Sequence, residues 1–199
     1  MAKQQKGLAN KVKTLVYAND RTGEILWSIL SPTLCYSAEL TGEIAEDIVS
    51  IDNAMKWGFG WQQGPFEIWD AIGVAKSVER MKEEDVAIPA FVQNMLDNGV
   101  ESFYKEEDGD LYFYDGEGYK LVSVNDKAID LKRYKKKHGV IKKNSGASLI
   151  DLGDGVALLE FHSQSNAIGL DIIQMINYAV DEAEKSYKGL VIGNQGKNF

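Results

Sequence analysis

With one cysteine, Cys35, the chain can form no intrachain disulfide. Set in an apolar helical run, that thiol reads as buried and inert rather than nucleophilic. Histidine is almost as scarce. His138 and His162 lie far from each other and from Cys35, so no metal-ligand spacing arises. Excess positive charge is lacking too: 22 Lys and Arg stand against 30 Asp and Glu, a net charge of −8. That balance argues against a nucleic-acid partner, because phosphate binding needs a basic face. No long apolar run is present. The most apolar early stretch, Ile25 to Tyr36, is too short to span a bilayer and contains Pro32. The opening MAKQQKGLANKVK has charge but no apolar core behind it, so a signal peptide is not expected. A soluble cytoplasmic protein is the expectation. What the chain does have is an apolar content of 44% in 199 residues, enough for one ordinary domain or two small ones.

Tryptophan is concentrated. Trp57, Trp61 and Trp69, three of the four, fall in WGFGWQQGPFEIWDAIG, Trp57 to Gly73. Gly58, Gly60 and Gly64 interrupt the run, and Pro65 follows at once, a residue pre-set for the first position of a helix. This predicts an aromatic corner between two helices. Ahead of it, Met1 to Lys13 reads as polar and frayed. Ile25, Leu26, Ile29, Leu30, Thr33 and Leu34 have helical spacing, with Pro32 kinking that helix or breaking it in two. Leu40, Ile44, Ile48 and Ile51 continue the apolar face. After the corner, Val74 to Met81 and Ile88 to Leu96 read as short helices, the second closed by Asp97-Asn98-Gly99.

The pattern then changes. Leu111 to Tyr114 and Tyr119 to Val122 flank a glycine turn and predict a hairpin. Asp126 to Lys143 is lysine-rich and weakly patterned, either a linker or a solvated helix. Ser148 to Leu152 and Val156 to Phe161 predict a second hairpin, Ile168 to Glu184 a helix, and Leu190 to Ile192 a buried strand. Strand, helix, strand implies a βαβ crossover.

The stretch Ile51 to Gly73 resembles the signature of the helical C-terminal domain of 3-hydroxyacyl-CoA dehydrogenases. The matching elements are Ile51-Asp52, the Gly58–Gly60 corner, Gly64-Pro65-Phe66-Glu67, and Asp70 with Gly73. This resemblance covers roughly Arg21 to Tyr104. A second covers roughly Ser148 to Phe199. VALLEFHSQSNAIGLDIIQMI and KGLVIGNQGKNF are similar to the opening of the crotonase fold, the enoyl-CoA hydratase and isomerase family, with its turn at Asn166-Ala167-Ile168. In this order the two resemble an internal stretch of a bacterial fatty-acid β-oxidation protein that joins the dehydrogenase to the hydratase.

The resemblance implies an α+β chain. Residues 1–20 would be a polar segment, 21–124 the helical dehydrogenase-type domain with a terminal hairpin, 125–147 a Lys-rich linker, and 148–199 a truncated crotonase-like β/α segment. It implies that the Ala167 backbone N–H is half of an oxyanion hole, with Asn166 and Ala167 touching substrate. The other donor and the hydratase carboxylates would lie beyond Phe199. The NAD domain and a His–Glu pair would precede Met1, so no cofactor is expected in this chain, while NAD serves the complete dehydrogenase. Gly58-Phe59-Gly60 with Gly64 has G-x-G-x-x-x-G spacing and follows a helix, which fails the dinucleotide fingerprint. Asp52, Glu67 and Asp70 read as helix N-terminal caps rather than catalytic acids. His162 reads as a satisfied surface histidine and His138 as solvated. Lys132 to Lys143 reads as a solvated face, with coenzyme A phosphates the alternative. The implied partners are an acyl-CoA, the missing segments or a partner chain, and further copies of the protein. The alternative to an enzyme segment is a non-catalytic acyl-CoA-binding or assembly module.

Overall fold

A computed structural model describes residues 4–123 and 128–196. The chain is mixed α and β and divides into two compact units, Met1–Ser123 and Val124–Phe199.

The first unit is mainly helical. It begins with α1 (Leu8–Val16), where the sequence pattern suggested a frayed polar segment. Leu8, Val12, Leu15 and Val16 fall on one helical stripe, and Val16 is buried against the core. The interleaved lysines hide this stripe in a composition reading. Next comes α2 (Arg21–Glu39), with Asp20 as N-cap accepting from the N–H groups of Thr22 and Gly23. Pro32 neither ends nor divides α2. It lies on the exposed face, and the residue four positions earlier, Ser28, is exposed as well. Water can therefore replace the hydrogen bond that proline removes. The apolar face expected to run on through Ile44 stops, because residues 41–46 form a turn and Ile44 is 73% exposed.

Asp47 caps α3 (Ile48–Phe59), which Gly60 terminates in left-handed geometry at φ 68°. Then follow α4 (Pro65–Ile72), α5 (Val74–Glu83) and α6 (Ala90–Asp97). A three-stranded antiparallel sheet completes the unit, β1 (Tyr104–Glu107), β2 (Asp110–Tyr114) and β3 (Tyr119–Leu121). The β2–β3 hairpin was legible in sequence; β1, reading Tyr-Lys-Glu-Glu, was not. The core is aromatic. Phe66, Trp69 and Phe91 surround Phe103 at centroid distances of 4.9, 5.4 and 6.2 Å. The fully buried Trp69 indole donates to Ser77 Oγ at 2.6 Å.

In the second unit, Leu131–His138 forms a helix, α7, rather than a linker, capped by Asp130. Lys142–Lys143 pairs as a short strand, β4. Residues 125–127 of the expected linker, with residue 124 before it, lie outside the described residues. The sheet order is β4-β5-β6-β7, with β5 (Ala147–Asp151), β6 (Val156–Phe161) and β7 (Gly189–Gly193). β4, β5 and β6 are antiparallel neighbours, whereas β7 runs parallel to β6 and is reached through α8 (Leu170–Ser186). Strand alternation splits the side chains. Ala147, Leu149, Ala157, Leu159 and Phe161 pack with Ile172, Met175 and Ala179 of α8, while Ile150 and Leu158 pack with Leu131 of α7.

Candidate functional site

The aromatic corner is a helix–helix elbow held by carboxylates. Asp52 is fully buried in the middle of α3 rather than at a helix start. Its side chain reaches across the elbow to the first turn of α4. Asp52 Oδ1 accepts from Phe66 N–H at 2.9 Å, and Oδ2 accepts from Glu67 N–H at 3.1 Å and from Tyr104 O–H at 2.9 Å. A carboxylate at that point satisfies free N–H groups and faces the positive end of the α4 dipole. Glu67 completes a capping box by accepting from Gly64 N–H at 2.8 Å, and also takes Lys56 Nζ at 2.6 Å. The glycine at 64 is required by space: a Cβ there would lie 2.3 Å from the Asp52 side chain.

Asp70 corrects the capping expectation. It sits in the last turns of α4 and caps no helix N-terminus. Its two oxygens accept from Phe103 N–H at 2.7 Å and Tyr104 N–H at 2.8 Å, fixing the start of β1. Burial lifts the Asp52 carboxyl to about 6, against the pull of the Phe66 N–H and Tyr104 O–H bonds, with Glu67 nearby adding repulsion. Burial lifts Asp70 to about 7, opposed by the Phe103 and Tyr104 N–H bonds. Burial and the Asp52 charge push the Tyr104 phenol well above its ordinary value. Carboxyls tuned near neutrality are the raw material of acid–base chemistry. Here all four oxygens of Asp52 and Asp70 are engaged by the fold, and Asp52 has no solvent access, so the arrangement holds a joint rather than a reactant.

At the tip of the elbow Trp57 is 80% and Phe59 75% exposed. Gly58 and Gly60 fall within and at the end of α3, with no strand leading into them. A dinucleotide loop joins a strand to a helix, so these residues do not fit NAD. Cys35 is buried, its thiol raised by burial and by the nearby Glu39.

Beside the elbow lies an apolar trough of about 290 Å³ between α1, α2 and α4. Val12 and Leu15, Leu26 and Ile29, and Trp61 and Ile68 form most of its walls. No charged residue lines it, and the Thr33 hydroxyl at its edge is spent on Ile29 O at 2.8 Å.

The second unit has a polar cavity of about 460 Å³ flanked by Lys132 and Lys135 of α7, Glu160 to Ser163, Asn166 and Gln195. The buried Glu160 carboxylate is held by Lys135 Nζ at 2.8 and 2.6 Å. Gln195 accepts from Leu131 N–H at 2.9 Å and donates to Ile129 O, tying α7 to the end of β7. His162 Nε2 meets Ser148 Oγ at 2.9 Å. His138 stacks on Tyr134 at a centroid distance of 4.2 Å. Asn166 borders the cavity with φ +52°, its N–H bonded to Ser163 O at 3.0 Å. The Ala167 N–H donates to Gln164 O at 3.2 Å, closing the 3₁₀ turn at residues 164–166, and Ala167 does not line the cavity. In this geometry that N–H is not offered to a ligand. Among the described residues no group of three or more His, Cys, Asp or Glu side chains could hold a metal ion, and no helix is long and apolar enough to cross a membrane. Sequence reasoning missed both the trough and the Lys135–Glu160 pair, whose members are far apart along the chain.

The chain is similar in sequence to three curated proteins. Over an alignment of 198 residues the chain is 60% identical to a Bacillus subtilis (strain 168) protein named "Probable 3-hydroxyacyl-CoA dehydrogenase", of which it spans 25%. It is 24% identical over 198 residues to a Rickettsia felis (strain ATCC VR-1525 / URRWXCal2) protein named "Putative fatty acid oxidation complex trifunctional enzyme". A protein of the same name from Rickettsia prowazekii (strain Madrid E) is 22% identical over 204 residues. Each of these two alignments covers 96% of the chain and 24% of the relative. The chain thus spans about a quarter of the length of the relatives it matches. No family model matches it, and no solved structure matches it. The dehydrogenase name agrees with the resemblance carried by Ile51 to Gly73. None of the names mentions a hydratase.

Proposed function

We propose that this chain does the work of the corresponding quarter of a fatty-acid β-oxidation enzyme acting on 3-hydroxyacyl-CoA. The observation that carries the reading is the 60% identity, end to end, with a quarter of a protein named for that dehydrogenase activity. In the reading, the first unit supports acyl-CoA binding and association of subunits. NAD-dependent hydride transfer belongs to the whole protein, since the glycines of this chain do not fit the dinucleotide. Residues 148–199 open a crotonase-like unit linked to enoyl-CoA hydration. The β5, β6, α8, β7 order supports that assignment, and the engaged Ala167 N–H removes it as an oxyanion donor in the conformation described.

Titration of the purified chain with a 3-hydroxyacyl-CoA, alongside assays of NADH formation and enoyl-CoA hydration, tests the reading. Saturable thioester binding without turnover is expected. No binding of any acyl-CoA would overturn it. The second reading, an assembly module, is favoured by Trp57 and Phe59 at the elbow tip, because large exposed aromatics mark partner surfaces. Concentration-dependent association abolished by Trp57→Ser, with no thioester binding, would select it.

A further inference from the structure

We propose that α7 and the strand after it form a docking face for an anionic lipid surface. Charge is the first observation. Residues 131–143 hold seven of the chain's 22 Lys and Arg and no Asp or Glu, in a chain whose net charge is −8. The fold gathers that charge on one side. Leu131 is buried with Ile150 and Leu158, Tyr134 packs against them, and Lys135 turns in to Glu160. At 3.6 residues per turn, the opposite side of α7 carries Lys132, Arg133, Lys136 and Lys137. Asp130, the acid next to α7 in sequence, is spent on the Lys132 and Arg133 N–H groups. The sheet adds a further cation. Lys143 pairs with Ser148, whose strand neighbour two residues on is Ile150, so Lys143 lies on the sheet face that meets α7. Lys142 falls on the other face, over the Tyr178 ring of α8.

Cations alone would suit a nucleic acid as well as a lipid headgroup. The apolar residues decide between them. Ile129, Val140 and Ile141 bracket α7 and are 44%, 38% and 41% exposed. A phosphodiester backbone offers branched aliphatics nothing, whereas a bilayer interface takes them in below its headgroups. Residues 128–143 contain no Phe or Trp to stack on a base, and the Tyr134 ring already stacks on His138. Basic charge and apolar contact together give the two signals that reversible membrane attachment needs. The face is independent of the acyl-CoA function proposed above and would stand without it.

The test is cosedimentation of the whole chain with vesicles of phosphatidylcholine alone and with about 30% phosphatidylglycerol, at roughly 0.05 and 0.5 M salt. Binding to the anionic vesicles only is expected, weakened at least about tenfold at the higher salt. Lys136→Gln with Lys143→Gln should weaken it about 25-fold, near fivefold for each cation lost. Arginine at both positions should hold it within about twofold of wild type. Val140→Ser with Ile141→Ser should weaken it at least about threefold and leave its salt dependence unchanged. Unaltered far-ultraviolet circular dichroism in each variant separates loss of the face from loss of the fold. No binding to anionic vesicles, equal binding to neutral ones, or affinity unchanged in both the glutamine and the serine variants overturns the proposal. So does binding to duplex DNA that is tighter than to the vesicles and indifferent to the serine variant, which would give the face to a nucleic acid.

Discussion

Raising the pH from 5 to 8 should weaken the helical unit, and Asp70→Asn should remove most of that loss. Both elbow carboxyls have folded-state values above the ordinary aspartate range, about 6 for Asp52 and about 7 for Asp70. A raised folded value means that the folded state holds protons the unfolded chain has released. The stabilisation is therefore complete below about pH 4 and is lost as pH rises through 6 and 7. At pH 5 Asp70 retains roughly 3 kcal/mol of this stabilisation and Asp52 roughly 1 kcal/mol; by pH 8 both contributions are gone. The expected loss is about 4 kcal/mol, a fall of more than 1 M in urea midpoint at typical slopes for a domain of this size. Asp70→Asn carries a permanently neutral group, so only the Asp52 part should remain, about 1 kcal/mol. All four tryptophans, Trp27, Trp57, Trp61 and Trp69, lie in the first unit, so urea melts followed by tryptophan fluorescence report that unit alone. A wild type more stable at pH 8 than at pH 5, or a variant profile parallel to the wild type, would refute the assignment of proton linkage to this pair.

Gly64→Ala should destabilise the same unit by about 3 kcal/mol in the same melts, because the new Cβ overlaps Asp52; an unchanged midpoint would mean that the elbow yields. Lys135→Met leaves the buried Glu160 without its cation and should cost the second unit roughly 3 kcal/mol. The tryptophan transition should stay where it is while far-ultraviolet circular dichroism shows an earlier one, and coincident shifts would show that the units unfold together. In amide exchange, Leu190 to Ile192 should open before Leu149 and Leu159, because β7 is the outer strand of its sheet and Val191 and Ile192 are half exposed. Equal protection across β5, β6 and β7 would contradict this.

What the sequence made legible is what local periodicity and turn chemistry encode. The elbow, α8, the two hairpins and the place of the strand after α8 all follow from spacing that a few neighbouring residues determine; the burial expected of that strand does not hold, because β7 is an outer strand with Val191 and Ile192 half exposed. Three elements, α1, β1 and the Lys142–Lys143 strand β4, escaped because their charges masked a pattern that only packing reveals. In α1 the lysines alternate with the residues that meet α2 and α4. In β1 a charged tetrapeptide is held as a strand by pairing with β2 and by Asp70, which fixes the N–H groups of Phe103 and Tyr104 from 33 and 34 residues away. The carboxylates show the same limit more sharply. Asp52 and Asp70 were visible as residues of a motif, and helix capping was a sound local reading of them. Their partners are backbone groups on other elements, so no rule of spacing along one helix could assign them. Ala167 is the converse case, where a motif suggested a free donor and the local turn had already used it.

The trough lay furthest from view because residues 12–16, 26–33, 61 and 68 each contribute one part of its walls. Each segment, read alone, is an ordinary amphipathic stretch whose apolar face has a neighbour to meet. Only when α1 docks across α2 and α4 do those faces leave a gap between them. The elbow governs that gap, since Asp52 fixes where α4 begins and Trp61 lies in the turn between α3 and α4. Loosening the elbow by Gly64→Ala should therefore alter the surroundings of Trp61, read as a shift of tryptophan emission, as well as stability, under conditions where the variant remains folded. A destabilised variant with unaltered emission would show that the trough is shaped without the elbow.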